Sequence, residues 1–306
     1  MEKKYLIIGS GALSSELQYQ LNYLSISFDI IQYRDLRSLL DNHDCRFNLY
    51  TKIFYLGIGW YSTINEIQLF RNFIKKLKLE SFNGEIFFPG TQSTLINKIS
   101  SCSKLKLDYF IPNRYNLIKY FNEFFLVKSG INYDIIYIPI IINLKTKSYL
   151  KYKQLASQYE LSVPNGGKNM MYFISAKSLV RDIVNTKNDK SKRFLYSKYI
   201  SFSDYVETEL DSQVKLSLLQ SDSAYNLSLK RHIEYLIKKT VREFVGLFYS
   251  PIAKNTEKIF FANHFINTYV KPIDSETARF LSNDFYNPLK MKAILEKNKI
   301  FCEKLL

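Results

Sequence analysis

The chain has 306 residues, a formal net charge of +15, 46% hydrophobic and 23% charged residues. That is enough apolar material for one large core with a smaller lobe, and too much for a disordered chain. Cys45, Cys102 and Cys302 are odd in number, far apart and without metal-ligand spacing, so neither a disulfide framework nor a metal centre is expected.

The start, Met1 to Ile8, has too short an apolar run for a signal sequence, and no window reaches the roughly 18 apolar residues of a membrane span. A cytoplasmic chain is expected. The positive charge invites a nucleic-acid or membrane-surface reading, but the lysines are scattered. The densest run, Lys187, Lys190, Lys192 and Arg193, lies near Asp182 and Asp189 and reads as a solvated loop. No specific nucleic-acid partner is expected, and weak association with a membrane surface is the most that this charge suggests. His43, His232 and His264 read as surface or cap residues, which disfavours a serine–histidine hydrolase.

In chain order, Tyr5 to Ile8 is a short apolar strand, followed by the turn Gly9-Ser10-Gly11 and a helix to about Leu24. Phe28 to Tyr33 reads as a second strand, Arg37 to Leu40 as a short helix and Ile53 to Gly57 as a third strand. From Ile64 to Leu79, Ile67, Phe70, Phe73, Ile74 and Leu77 share a helical face. Strand Glu85 to Phe88, helix Tyr115 to Lys128 and strand Tyr133 to Ile142 follow.

This alternation requires parallel pairing through crossover helices, and the near-continuous apolar strands fit burial on both faces. The fold class expected is α/β: a Rossmann-type doubly wound parallel sheet over residues 1–145, with a smaller, mostly helical lobe over 146–306 that is interleaved with the end of the sheet. Past a polar connection at Lys145 to Lys153 and a turn at Pro164 to Gly167, helices are expected at Ser175 to Asn185, Ser203 to Leu219 and Leu227 to Phe248.

Gly9-x-Gly11-x-x-Ser14 lies between the first strand and first helix, where backbone N–H groups and a helix N-terminus can meet a pyrophosphate. Gly9, Ser10, Gly11, Ala12 and Leu13 are the candidate contacts, with a purely structural turn as the alternative. After the second strand, the acidic partner of a ribose 2′-hydroxyl is replaced by Tyr33-Arg34-Asp35. Arg34 suits a 2′-phosphate, so NADP is expected, with NAD as the other candidate should Asp35 take the ribose.

Tyr115-Asn116-Leu117-Ile118-Lys119 puts a phenol and an ammonium one helical turn apart. The ammonium stabilises phenolate and draws the tyrosine pKa down from about 10, suiting it for proton exchange with a carbonyl or alcohol. The spacing alone is cheap in a chain with 24 tyrosines. Its position after the fourth strand gives it weight, with Thr91 nearby as a hydroxyl donor. The competing reading is a helix-surface pair with Thr91 as a turn residue.

Over most of residues 4–205 these features resemble the extended short-chain dehydrogenase/reductases, the NAD-dependent epimerase/dehydratase family. Tyr115, Lys119 and Glu123 match its tyrosine, lysine and glutamate, and Phe87-Phe88-Pro89-Gly90-Thr91 matches its strand ending in a catalytic serine or threonine. Tyr133 to Pro139 looks like its strand ending in proline, and Gly166 to Leu179 is similar to its later turn, strand and helix start.

The resemblance implies that Tyr115 is the acid/base, that Lys119 holds the ribose and lowers the tyrosine pKa, and that Thr91 polarises the reacting oxygen. It places Leu56, Gly57, Pro139 and Ile142 around the cofactor, with Pro139 beside the nicotinamide. The chain departs from the family at the shortened glycine motif, at Leu56-Gly57-Ile58-Gly59, and around Pro139, which lacks a preceding arginine. The implied activity is reduction or epimerisation of a nucleotide-linked sugar, in surface polysaccharide biosynthesis, with a homodimer as the assembly. The rival class is a binding protein that keeps the nucleotide fold without turnover, as an NADP sensor or scaffold.

Overall fold

The structure is a computed structural model. It describes residues 4–41, 46–58, 61–92, 95, 114–142, 161–163, 168, 170–186, 189–210, 216–218, 237, 240–241, 244–249 and 288–305. In chain order these form β1 (Lys4–Ile8), α1 (Ala12–Tyr23), β2 (Ser27–Ile31), α2 (Leu36–Asp41), β3 (Lys52–Tyr55), α3 (Thr63–Leu79), β4 (Glu85–Thr91), α4 (Arg114–Ser129), β5 (Asn132–Ile138) and β6 (Ile140–Ile142). Then follow β7 (Leu161–Val163), β8 (Met170–Ser175), α5 (Ala176–Asn185), β9 (Ser191–Tyr196), β10 (Lys198–Ser201), α6 (Phe202–Tyr205), β11 (Leu216–Leu218), α7 (Pro288–Lys297) and β12 (Phe301–Lys304).

Seven strands make one sheet in the order β12-β9-β5-β4-β3-β1-β2, every neighbouring pair parallel. The order reverses at β1, which lies between β2 and β3. In such sheets the crevice for a ligand lies outside the carboxyl ends of the strands at that reversal. Two small sheets, β10-β8-β6 and β11-β7, stand apart from it.

Alternate strand side chains feed two separate cores, as a sheet covered on both faces requires. Leu6, Ile8, Ile53, Tyr55, Ile86, Phe88, Ile135 and Tyr137 pack with Leu36 of α2, Phe70 and Phe73 of α3 and Leu126 of α4. Ile7, Phe54, Phe87 and Ile136 face the other way, onto Leu17 and Leu21 of α1 and Leu179 and Ile183 of α5. The fold is therefore the doubly wound one, with the helices of the C-terminal half accompanied by the two small sheets.

Several boundaries differ from the sequence expectations, each for a physical reason. The second strand stops at Ile31, and Tyr33–Asp35 is a turn of 3-10 helix that buries Tyr33. The run Tyr133 to Ile142 is two strands broken at Pro139, which has no N–H to donate to a ladder; β6 leaves the main sheet and pairs with β8. By contrast β4 runs through Pro89, because its pairing to β3 ends at Phe87 while its pairing to β5 continues to Thr91.

The helix expected over Ser203 to Leu219 is short: a capping box between Ser201 and Asp204 starts α6, a π-helical turn spans Val206–Leu210, and β11 follows. Leu216-Ser217-Leu218 alternates at the strand period, and pairing to β7 overrides helical propensity. Of the helix expected over Leu227 to Phe248, residues 237, 240–241 and 244–248 are described, and all are helical. The expectations for His43, Cys45, Cys102, His232 and His264, for the loop at 145–153 and for the turn at 164–167 lie outside the described residues. Cys302 is an exposed free thiol on β12.

The basic run is the clearest correction, since Lys192 and Arg193 lie in β9 and not in a solvated loop. Lys192 pairs with Glu123 at 2.8 Å. Arg193 is buried and donates from Nε and Nη2 to Asp134 of β5, at 3.1 and 2.7 Å, and from Nη1 and Nη2 to Asp182 of α5, at 3.2 and 2.7 Å. Ser191 adds a 2.6 Å bond to Asp134. One guanidinium thus ties two strands and a helix, its donors consumed in a fork geometry that lysine lacks. We expect Arg193→Leu, which leaves Asp134 at 0% exposure without its cationic partner, to cost about 3–5 kcal/mol in urea unfolding, and Arg193→Lys to recover less than half of that.

Candidate functional site

Almost every residue singled out in the sequence falls at the carboxyl edge of the sheet: Gly9 to Gly11 after β1, Arg34 after β2, Leu56 and Gly57 after β3, Thr91 at the end of β4 and Pro139 after β5, with Tyr115 and Lys119 in the opening turns of α4. Ile142, also singled out, closes β6 in the small sheet and is buried.

The glycine turn is shaped by two close approaches. Gly9 has φ +117°, in the left-handed region, and a Cβ there would lie 2.9 Å from the backbone nitrogen of Gly57. The loops after β1 and β3 therefore touch backbone to backbone, which only glycine allows. Gly9 N–H donates to the Ile31 carbonyl at 2.9 Å, closing the turn against β2. Ser14 is fully buried, and its hydroxyl donates to the Gly9 carbonyl at 2.8 Å. The serine at the third motif position thus braces the turn from beneath.

Gly11 is different. It is exposed, its φ of −74° suits any residue, and a Cβ on it would meet nothing within 4 Å. It caps α1 without a side-chain hydrogen bond, so no capping side chain serves the first N–H groups of this 12-residue helix. That arrangement can receive an anionic group. Ser10 is exposed beside it, while Ala12 and Leu13 are partly covered, Leu13 by packing on the α1 core.

Gly57 has its own reason to be glycine: a Cβ would lie 2.0 Å from the Tyr33 ring. Tyr33 is buried, and its hydroxyl donates to Oε2 of Glu66 at 2.5 Å and receives the Tyr55 hydroxyl at 3.3 Å. Burial and the neighbouring carboxylate push its phenol well above the ordinary range. Arg34, next in the chain, is exposed and faces Asp35 at 3.6 Å, while its carbonyl accepts from the Tyr61 hydroxyl at 2.9 Å. Arg37 lies over the Tyr61 ring, 5.6 Å from its centre. Two exposed arginines thus meet one tyrosine at the end of β2, Arg34 through its carbonyl and Arg37 through its guanidinium.

Lys119 is 4% exposed. Its ammonium donates to the Pro89 carbonyl at 2.7 Å, and lies 4.7 Å from the centre of the Phe88 ring and 5.7 Å from that of Tyr115. Desolvation pulls its pKa down to about 7, opposed by the field of Glu66. The amine is therefore held by a carbonyl dipole and ring faces in place of water.

Tyr115 is half-exposed, and the protein around it pushes its phenol up to about 12. Desolvation sets the direction, opposite to the lowering expected from a neighbouring ammonium. Thr91, at the end of β4, stands opposite Ile138 of β5. Glu123 is buried and accepts from Tyr137 at 2.7 Å and Lys192 at 2.8 Å, which makes it a brace between α4, β5 and β9.

Three polar residues at this edge escaped the sequence reading, Glu66, Tyr61 and Arg114, and Tyr33 was read only as the end of the second strand and the neighbour of Arg34. Glu66 is 0% exposed and also accepts from the Tyr61 backbone N–H at 2.7 Å. Arg114 Nη2 donates to the Tyr61 carbonyl. A signal for Glu66 existed, since Thr63, Glu66, Phe70, Phe73 and Leu77 follow the spacing of the buried stripe of α3, and a carboxylate on such a stripe needs partners.

No protein-family model matches the chain, and no curated protein matches it. Its architecture does have solved counterparts. A dTDP-4-dehydrorhamnose reductase from Clostridium acetobutylicum is 15% identical, covers 70% of this chain and 83% of its own length, and superposes with a TM-score of 0.52. The dTDP-4-dehydrorhamnose reductase from Bacillus anthracis, solved in complex with NADP, is 14% identical over 72% and 84%, with a TM-score of 0.51. RMD from Pseudomonas aeruginosa, complexed with NADPH, is 14% identical over 72% and 85%, also at 0.51. At such identities the likeness is one of architecture, and this chain is built on the same Rossmann-type plan as these three proteins.

Proposed function

We propose that this chain is an NADP-dependent oxidoreductase, a reductase or epimerase of a nucleotide-linked sugar that serves surface polysaccharide biosynthesis. The observation that carries the proposal is that a phenol beside a buried ammonium, at the start of the helix after β4, lies on the same carboxyl edge of one parallel sheet as the glycine turn after β1. The solved counterparts include proteins bound to NADP and NADPH, two of them named as dehydrorhamnose reductases.

In this reading the open backbone at Gly11 and the start of α1 take the pyrophosphate, with Ser10, Ala12 and Leu13 alongside. Arg34 takes the 2′-phosphate, Leu56, Gly57, Pro139 and Ile142 line the cofactor, and the nicotinamide supplies hydride chemistry when bound. Lys119 holds the ribose and offers positive charge to the Tyr115 phenol, which exchanges a proton with the sugar oxygen. Thr91 donates a hydrogen bond to that oxygen. Segments of 146–306 outside the main sheet form the substrate lobe, and the chain works in the cytoplasm as a homodimer. The described residues include no helix long and apolar enough to cross a membrane.

The test is a screen of nucleotide sugars with NADPH, followed by absorbance. Turnover with at least one of them is expected, and Tyr115→Phe should lower it by about 10²–10⁴-fold while leaving NADPH binding intact. NADPH binding with no turnover on any sugar would instead identify a sensor or scaffold. A separate calorimetric titration addresses the 2′-phosphate: Arg34→Ala should weaken NADPH roughly tenfold and leave NADH unchanged. Equal weakening of both cofactors would remove Arg34 from that role.

A further inference from the structure

The helical stretch before Tyr249 is turned the opposite way to α3, whose apolar stripe faces the core. Residues 237, 240–241 and 244–248 are helical, and Ile237, Val241, Phe244, Val245 and Phe248 are each between 48% and 62% exposed. Their steps of four, three, one and three residues gather them on one helical face. Gly246 falls on the opposite face and is buried. There the Thr63 hydroxyl, at the start of α3, donates to the Gly246 carbonyl at 3.0 Å, and a Cβ on Gly246 would lie 3.4 Å from the side chain of Arg114, at the start of α4. The stretch is thus seated through its smallest residue and presents its large apolar ones outward. Phe244 and Phe248 pack edge-on within that outer face, their ring centres 5.7 Å apart.

The charge of the same stretch indicates what the stripe meets. In the sequence, Lys230, Arg231, Lys238, Lys239 and Arg242 stand against Glu234 and Glu243, within a chain of net charge +15. Exposed aromatic and aliphatic side chains in a cation-rich helix suit the plane of a bilayer, where the apolar face enters the acyl boundary and the cations meet anionic headgroups. We propose that the helical stretch ending at Phe248 docks this protein onto an anionic phospholipid surface through Ile237, Val241, Phe244, Val245 and Phe248. The chain lies on the bilayer there, since no helix among the described residues is long and apolar enough to cross it.

A second copy of this chain suits the stripe less well. Two such stripes in contact would press two predominantly basic segments together, whereas an anionic surface attracts both. Five side chains also fall far short of the roughly 20–30 residues a side that a stable protein interface uses. Because Gly246 is fastened to the starts of α3 and α4, docking sets the carboxyl edge of the sheet beside the bilayer. The inference goes beyond the proposed function and needs neither cofactor nor turnover.

The test is sedimentation of the cofactor-free chain with vesicles of phosphatidylcholine alone, or of phosphatidylcholine with about one-third phosphatidylglycerol. The chain should pellet with the anionic vesicles, remain in solution with the neutral ones, and be released as salt is raised. Phe244→Ser/Phe248→Ser should lower partitioning by about tenfold or more. Its urea midpoint and its sedimentation coefficient in free solution should stay those of the parent. Lys238→Gln/Lys239→Gln should weaken binding and flatten its salt dependence.

Binding that the serine pair leaves unchanged would trace the attraction to scattered lysines and overturn the proposal. Binding that the glutamine pair leaves unchanged, equal pelleting with both vesicles, or absence from both pellets overturns it as well. A lower urea midpoint or loss of folding in the serine pair would mean that another part of this chain covers the stripe. A smaller sedimentation coefficient would mean that a second copy does, and either result removes the membrane from this face.

Discussion

A positive charge buried beside a hydrophobic core is the constraint around which the carboxyl edge is organised. The Lys119 ammonium rests on the Pro89 carbonyl and on the faces of Phe88 and Tyr115. A lysine desolvated in this way gives up its proton readily, and its pKa near 7 expresses that cost. Both the path of β4 through Pro89 and the seating of Phe88 against Tyr55 and Phe70 are conditions for holding the amine there. The Pro89 carbonyl is available because the ladder to β3 has already ended at Phe87.

The second organising contact is the meeting of two glycines, one from the loop after β1 and one from the loop after β3. Gly9 and Gly57 approach so closely that neither tolerates a Cβ, but for different reasons: Gly9 is blocked by backbone, and Gly57 by the Tyr33 ring. Gly11, the other glycine of the motif, is free of such contacts. One glycine of the motif thus fixes the turn, and the other leaves it open. Ser14 adds a hydroxyl that satisfies the Gly9 carbonyl, which glycine or alanine at that position would leave to other partners.

Much of this was legible in the residues. The apolar runs at Tyr5 to Ile8, Ile53 to Tyr55 and Ile135 to Ile138 are buried on both faces, and that burial is why their composition reads as parallel strand. The spacing of Tyr115 and Lys119 and the placement of Gly9 to Gly11 between strand and helix were equally visible. What was not legible depends on distant partners. Arg193 reads as one cation in a basic run until Asp134 and Asp182 are brought to it by β5 and α5. β11 reads as a continuation of a helix until β7 offers an edge. Glu66 reads as one more polar residue of an amphipathic helix, since its value comes from Tyr33 and Tyr61 on other segments. Even Tyr115 was read only halfway: the spacing shows the neighbouring ammonium but not the surroundings that raise its pKa.

The outer half of the sheet has a different history from the inner half. β1 to β4 each pair with strands close in the chain, whereas residue 193 of β9 finds its neighbour at residue 301 of β12, and residue 136 of β5 finds residue 193. Closing loops of that length costs chain entropy before any pairing returns it, and such contacts slow folding. A ribosome-bound chain could therefore assemble the glycine turn and the seat of Lys119 early, while the edge formed by β9 stays uncovered until β12 has emerged. During that interval a bare parallel edge is open to pairing with other chains, so the yield of folded protein should be governed by how quickly β12 arrives.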